Sequence, residues 1–369
     1  MGMAGLLRAA VRRPVRLGSR IGLSVLETNK LGGFSGSILS RIAELRSARL
    51  ANPLIDTWRF PDWRPEDFGP RRALSVVWFI HSNARELDST AELLADDASR
   101  EWLRTLLAYR ALGPMHVTLP GKSRHYSRAA TLKQDGVSTS FPPFEMERYV
   151  VPFDGEMIDL ECWLLNVAYT FLEKQYFFER DGVTIKPLPG DVVIDAGACF
   201  GDTALAFAST VKDGKVYSFE PLPRQREVLM RNLRRNDSLT GRVRVMPFAL
   251  GEASDKTLMF SDGGAGARAS QSGTVPVTSI TMDDFVVREG LRGVDFIKMD
   301  IEGAETAALR GARETIRRFK PRLAVSIYHS LHDLVRIPQL VKSIKPAYSL
   351  YIDHHTIHAE ETILYAACR

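Results

Sequence analysis

The chain has 369 residues, 45% hydrophobic and 25% charged, which suits a globular protein of one large or two modest domains. Its net charge of +5 is too mild to argue for a nucleic-acid partner. Cys162, Cys199 and Cys368 are too few and too scattered for a disulfide framework or a structural zinc site, so a reducing, cytoplasmic setting is expected.

The charge is uneven. Residues 1–50 hold nine Lys/Arg and two Glu, which leaves everything after them at −2. Arg8, Arg12, Arg13, Arg16 and Arg20 are interleaved with Leu6, Leu7, Val11, Val15, Leu17 and Ile21, and Pro14 interrupts any continuous helix. This basic N-terminal arm reads as solvated or packed in a homo-oligomer. The sharper alternative is an amphipathic segment resting on anionic membrane, at the inner face.

Residues 51–180 read as an accessory region that selects substrate or oligomerises. Pro53, Pro61, Pro65 and Pro70 with Trp58, Phe60 and Trp63 predict an irregular stretch pinned by aromatic anchors. Ser89 to Leu112 has a helical pattern, with Trp102, Leu103, Leu106 and Leu107 on one face and Gly113-Pro114 as its stop. Leu160 to Tyr176 reads as another helix, since Leu160, Trp163, Leu164, Val167, Phe171 and Leu172 recur every three or four residues.

Residues 181–369 change character. Short β-branched runs at Val192–Asp195, Val216–Glu220, Val243–Pro247, Phe296–Asp300 and Leu323–Tyr328 alternate with helical segments. Those segments are Thr203–Val211, Arg224–Asn236, Thr281–Glu289, Ala304–Phe319 and His332–Ile344. Such alternation predicts a parallel sheet covered on both faces. Tyr348–Ile352 and Thr362–Ala366 lack a long crossover and read as an antiparallel hairpin closing the sheet. The expected fold is α/β and Rossmann-like: seven strands, mostly parallel, preceded by a mainly helical region.

In such sheets a ligand lies beyond the carboxyl ends of the strands. The first strand runs into Asp195-Ala196-Gly197-Ala198-Cys199-Phe200-Gly201-Asp202-Thr203, a glycine turn entering a helix. The second ends in Glu220-Pro221, where a carboxylate can meet ribose hydroxyls. A dinucleotide fingerprint needs glycine where Cys199 stands, so the spacing disfavours NAD and favours S-adenosylmethionine, which has no pyrophosphate.

Asp195–Thr203, Phe219-Glu220-Pro221, Ala249-Leu250-Gly251, Val277–Phe285 and Lys298-Met299-Asp300-Ile301-Glu302-Gly303-Ala304-Glu305 together resemble the FkbM-type S-adenosylmethionine-dependent methyltransferases. The resemblance runs from about residue 188 to the C-terminus. It implies a class I methyltransferase fold and methyl transfer to a hydroxyl, typically of a sugar or a polyketide. It further implies that Asp195 and Gly197 contact the methionine end, with Ala198 in the turn and Gly201, Asp202 and Thr203 at the helix start. Glu220, with Pro221 behind it, would hold the ribose, Ala249 and Leu250 would border the adenine, and Asp300 would face the methionine or the acceptor.

A hydroxyl needs help to lose its proton. His329, at the end of the fifth strand, is the expected general base, with Asp300 and Glu302 beside it. His332, His354, His355, Glu360 and Glu361 fall on the same rim. A divalent metal held by Asp300, His329 and a nearby carboxylate is the alternative; it is not expected, because no tight ligand spacing supports it. The expected partner is a small-molecule or glycan acceptor bearing a hydroxyl. Two other classes fit the same sheet: an NAD(P)-dependent oxidoreductase and a cofactor-binding scaffold without catalysis.

Overall fold

The computed structural model describes residues 31–119, 124–136, 138–261 and 272–368. The arginine-rich part of the arm, and with it the proposed membrane contact, lies outside these residues. The chain divides into two compact units, one of residues 1–92, 100–119 and 357–359, the other of 93–99, 120–356 and 360–369. Among the described residues no helix is long and apolar enough to cross a membrane.

The first unit is helical. Helix α1 (Gly33–Leu45) buries Ile38, Leu39 and Ile42, so this part of the basic arm is packed rather than free. Helix α2 (Pro70–Ser82) starts with proline in its first turn, where a missing N–H costs nothing. The segment read as one helix from Ser89 is two, α3 (Ala84–Leu93) and α4 (Asp97–Leu112). The break falls at Asp96, whose carboxylate accepts from Ser99 N at 2.8 Å and caps the second helix. Leu103, Leu106 and Leu107 are fully buried as the spacing predicted, whereas Trp58 is 54% exposed.

The second unit begins earlier than the sequence suggested, and part of it is not helical. After α5 (Arg124–Ala130) come strands β1 (Thr139–Phe141), β2 (Phe144–Phe153) and β3 (Glu156–Cys162), an antiparallel meander. The Leu160–Tyr176 helix is therefore corrected. Ile158, Leu160 and Cys162 point inward with a strand's period of two, and helical geometry starts at Leu164, turning π-helical over Val167–Glu173. Asn232 and Asn236 occupy the outer edge of β3 with paired amide bonds. Asn232 Oδ1 accepts from Glu161 N (2.7 Å) and its Nδ2 donates to Glu161 O (2.8 Å); Asn236 does the same at Asp159 (3.0 and 2.7 Å).

A small hairpin, β4 (Phe178–Arg180) and β5 (Val183–Ile185), leads into the main sheet. The sheet comprises β6 (Val192–Ala196), β7 (Lys215–Phe219), β8 (Val243–Met246), β12 (Phe296–Met299), β13 (Arg322–Ser326), β14 (Tyr348–His354) and β15 (Thr362–Cys368). Their order is β14-β15-β13-β12-β6-β7-β8, all parallel except β15, which inserts antiparallel between β13 and β14. This is the expected seven-stranded, mostly parallel sheet with its closing hairpin. Helices α6 (Asp202–Val211), α7 (Pro223–Arg234), α8 (Met282–Arg288), α9 (Glu305–Arg310), α10 (Arg313–Phe319) and α11 (Asp333–Ile344) connect it. The span Ala304–Phe319 is two helices, interrupted at Gly311-Ala312.

A feature absent from the sequence reading is a second small sheet in the order β10-β11-β9, built from β9 (Ala249–Leu250), β10 (Thr257–Phe260) and β11 (Val275–Ile280). The chain leaves β6 towards β7 and β8 on one side, and β12 towards β13 on the other. The topological switch point therefore lies between β6 and β12, where such folds place their ligands.

Candidate active site

Register builds the floor of the site. Lys298 on β12 pairs with Asp195 on β6, and Asp195 pairs with Ser218 on β7, so three polar side chains lie in one row across a buried sheet. Asp195 is fully buried. Its carboxylate accepts from Thr203 Oγ1 (3.0 and 2.9 Å) and Ser218 Oγ (3.3 Å), and Oδ1 stands 3.4 Å from Lys298 Nζ. The ammonium also donates to the carbonyls of Ala196 (3.2 Å) and Gly197 (2.8 Å). Burial alone would lower the lysine pKa, but Asp195, Asp300 and Asp202 outweigh it and hold the amine charged. Asp195, expected to contact a ligand, thus has its oxygens engaged inside the fold, and with Thr203 and Lys298 it fixes the glycine turn from beneath.

The turn itself is tight. Gly197 N and Ala198 N both donate to Phe219 O at 3.0 Å, and Gly201 N donates to Ala198 O at 2.7 Å. Gly197 has φ +86°, and a Cβ there would lie 1.9 Å from Asp300 O, so the backbones after β6 and β12 touch through glycine alone. Gly197→Ala is expected to cost about 2–4 kcal/mol by adding overpacking to left-handed strain, read as a lower urea midpoint. Cys199, which stands at the second glycine position of the fingerprint, also takes a left-handed conformation, φ +45°. Asp202, at the start of α6, is buried, accepting from Thr170 Oγ1 (2.5 Å) and Asn166 Nδ2 (3.2 Å); it too is engaged within the protein.

Glu220 ends β7 on the opposite side of the turn. Its Oε2 accepts from Cys199 N and its Oε1 from Leu222 N, both at 2.9 Å, which fixes the carboxylate and leaves lone pairs on both oxygens. Burial pushes its pKa up to about 7, against the opposing pull of those two N–H groups. Arg226 braces the strand end by donating to the carbonyls of Glu220 (3.0 Å) and Pro221 (2.9 Å). Ala249 packs with Leu222 and Val277, and Leu250 beside it is buried as well, an apolar surface next to Glu220 that suits an aromatic base.

Beyond β12 and β13 the rim is acidic. Asp300 Oδ2 accepts from Tyr176 OH at 2.9 Å, and Tyr328 OH lies 3.2 Å from its Oδ1 and 3.4 Å from Glu361 Oε1. Burial, reinforced by Asp300, raises both phenols well above their ordinary pKa, so they act as donors. His329 is enclosed by carboxylates: Nε2 is 3.5 Å from Asp300 Oδ1 and 3.6 Å from Glu302 Oε2, and Nδ1 is 3.3 Å from Glu305 Oε1. Burial would lower its pKa, but Glu305, Asp300 and Glu302 together push it up to about 10.

That environment works against the base role expected of His329, because carboxylates on both sides favour the protonated ring. Glu302, pushed up to about 7 by burial first and then by the Asp300 charge, is the other candidate on the rim. His354 and His355 carry internal partners, Thr362 Oγ1 at 2.8 Å for the first, Glu173 Oε1 at 3.2 Å and Tyr365 OH at 2.7 Å for the second.

Three residues of the site receive no role of their own from the sequence. Lys298 carried a signal, a lone charge inside an otherwise apolar strand. Glu305 stands in the segment that carries the family resemblance, and only the structure shows its Oε1 accepting from Ile301 N (2.8 Å) and closing the turn after β12. Tyr176 had none; it arrives from the segment before the sheet.

Residues 195–345 match the sequence profile described as the Methyltransferase FkbM domain. A curated relative, the 2-O-methyltransferase NoeI of Sinorhizobium fredii (strain NBRC 101917 / NGR234), is 23% identical over 160 residues, covering 38% of this chain and 64% of that protein. The crystal structure of Methyltransferase FkbM from Methylobacillus flagellatus KT superposes with a TM-score of 0.50 at 23% identity, covering 78% of this chain and 59% of that one. The chain thus spans under two thirds of either protein, and the structural likeness speaks for the fold.

Proposed function

Residues 195–345 make this chain a member of the FkbM methyltransferase family, and from that premise we propose that it transfers a methyl group from S-adenosylmethionine to a hydroxyl oxygen. The acceptor class is a sugar, polysaccharide or natural product, by analogy with the 2-O-methyltransferase that it resembles. The observation that carries the reading is Glu220. A carboxylate fixed by two backbone N–H groups, beside a glycine turn and next to an apolar surface, is suited to accept two ribose hydroxyls.

The residues present fit that cofactor: Glu220 would hold the ribose, Ala249 and Leu250 would border the adenine, and the Gly197–Gly201 turn would bring backbone close to the methionine end. When bound, the cofactor supplies a methyl carbon activated by a sulfonium. The protein's tasks are then alignment and proton removal, and alignment alone can account for much of the rate. Asp300, fixed by Tyr176 and Tyr328, would orient the acceptor hydroxyl, and Glu302 would take its proton. As the acceptor oxygen takes the methyl group that the cofactor would supply, its proton would pass to Glu302. With no metal bound, the His329 imidazole would balance the carboxylates around it.

With methyl-labelled cofactor and a panel of sugar and polyketide acceptors, a labelled ether and S-adenosylhomocysteine are expected; label on nitrogen or carbon would overturn the O-methyl reading. Glu220 adds a pH signature. Because its pKa is about 7, cofactor affinity should rise several-fold between pH 6 and pH 8 as the carboxylate ionises. Glu220→Gln should bind more weakly and show no such rise. The same shift has a stability sign. The folded state holds the extra proton between about pH 4.5 and 7, so this group's contribution is present below that window and lost as pH rises through it.

A further inference from the structure

We propose that Asp300, Glu305 and His329 hold a divalent cation of the manganese or magnesium class; the role given to it below rests on the methyl-transfer reading of the same rim. One ligand atom from each of the three lies within 4.8 Å of the others. Only one ring nitrogen of His329 can bind the ion, since the two point apart; Nδ1 is 3.3 Å from Glu305 Oε1, and Nε2 is 3.5 Å from Asp300 Oδ1. Ligands about 2.1 Å from one ion stand roughly 3.0–3.4 Å apart in octahedral or tetrahedral geometry, so three ligand atoms within 4.8 Å of one another must draw together by about 1 Å to close on it.

Two further observations point to a ligand rather than to a finished ion-pair network. Both ring nitrogens of His329 are buried without a hydrogen-bond partner. So is Glu305 Oε2, on a side chain only 1% exposed. Buried polar atoms are seldom left in that state. The charge is also one-sided. Asp300, Glu302 and Glu305 stand around one imidazole at 3.3–3.6 Å, and a carboxylate as buried as that of Glu305 is costly to leave short of compensation. A divalent cation in place of the imidazolium proton would satisfy the ring nitrogen and neutralise the surplus.

Two carboxylates and one imidazole suit Mn²⁺ or Mg²⁺ better than a thiolate-seeking metal, and three protein ligands leave positions open. The acceptor's hydroxyl oxygen would take one of them. Glu302, 3.6 Å from the ring, would then stand next to that oxygen as the proton's destination.

The test is a titration of the chelator-stripped full-length protein with Mn²⁺, following free Mn²⁺ by electron paramagnetic resonance. Calorimetry with S-adenosylmethionine is run separately on the stripped protein. One Mn²⁺ per chain is expected at micromolar to tens-of-micromolar affinity, weakened at least tenfold in Asp300→Asn and in His329→Ala. No saturable Mn²⁺ binding by the wild type would overturn the cation site, as would equal binding by wild type and both variants. Cofactor binding without Mn²⁺ binding overturns the cation alone. Mn²⁺ binding without cofactor binding upholds the site and overturns the methyl-transfer reading.

Discussion

Replacing Lys298 with methionine is expected to destabilise the fold by about 3–5 kcal/mol, the range for breaking a buried ion pair from one side. Methionine fills the volume, so the loss is electrostatic. Asp195 would keep only the hydroxyls of Thr203 and Ser218, inside a sheet with no access to water. The carbonyls of Ala196 and Gly197 would lose their shared donor at the point where the glycine turn begins. Urea unfolding measures the effect, and the double variant Lys298→Met/Asp195→Asn should recover part of it because the stranded charge is gone. A loss below about 1 kcal/mol would show that Asp195 does not depend on the lysine.

Asp300→Asn should lower kcat about 10³-fold, equivalent to about 4 kcal/mol of transition-state stabilisation. The amide keeps the shape of the side chain but removes the charge that Tyr176, Tyr328 and His329 all face. Cofactor affinity should change less than tenfold, since Glu220 and the glycine turn are untouched. Single-turnover kinetics with bound cofactor separate the two effects. A variant that loses cofactor binding but, once saturated, turns over normally would move Asp300 from the acceptor side to the cofactor side.

The main sheet was legible in the sequence because parallel strands buried on both faces read as short β-branched runs. Gly197, Glu220 and Asp300 stand just past the ends of β6, β7 and β12, where that pattern put them. What was missed obeys other signals. The β2–β3 hairpin carried its mark in Asp154-Gly155, both with positive φ (50° and 85°), the dipeptide that favours a two-residue turn. That mark was overlooked because Leu160 fits a helical spacing with Trp163 and Leu164 by coincidence of a strand end running into a helix. Asp195 was assigned to the ligand because its place in the chain is right. Only register shows that Lys298 and Ser218 flank it on neighbouring strands and take up its oxygens. Residue type alone makes His329 a base candidate, yet a pKa belongs to the surroundings, and three carboxylates converge on that ring from the end of β12, the turn after it and the start of α9.

Calorimetric titration of the purified protein with S-adenosylmethionine, and in parallel with NAD, tests most directly the assignment of the Glu220 and Gly197 rim to a methyl donor. One-to-one micromolar binding of S-adenosylmethionine, weakened at least tenfold in Glu220→Ala, with no measurable heat from NAD, is the expected result. Binding of NAD with none of S-adenosylmethionine would contradict it.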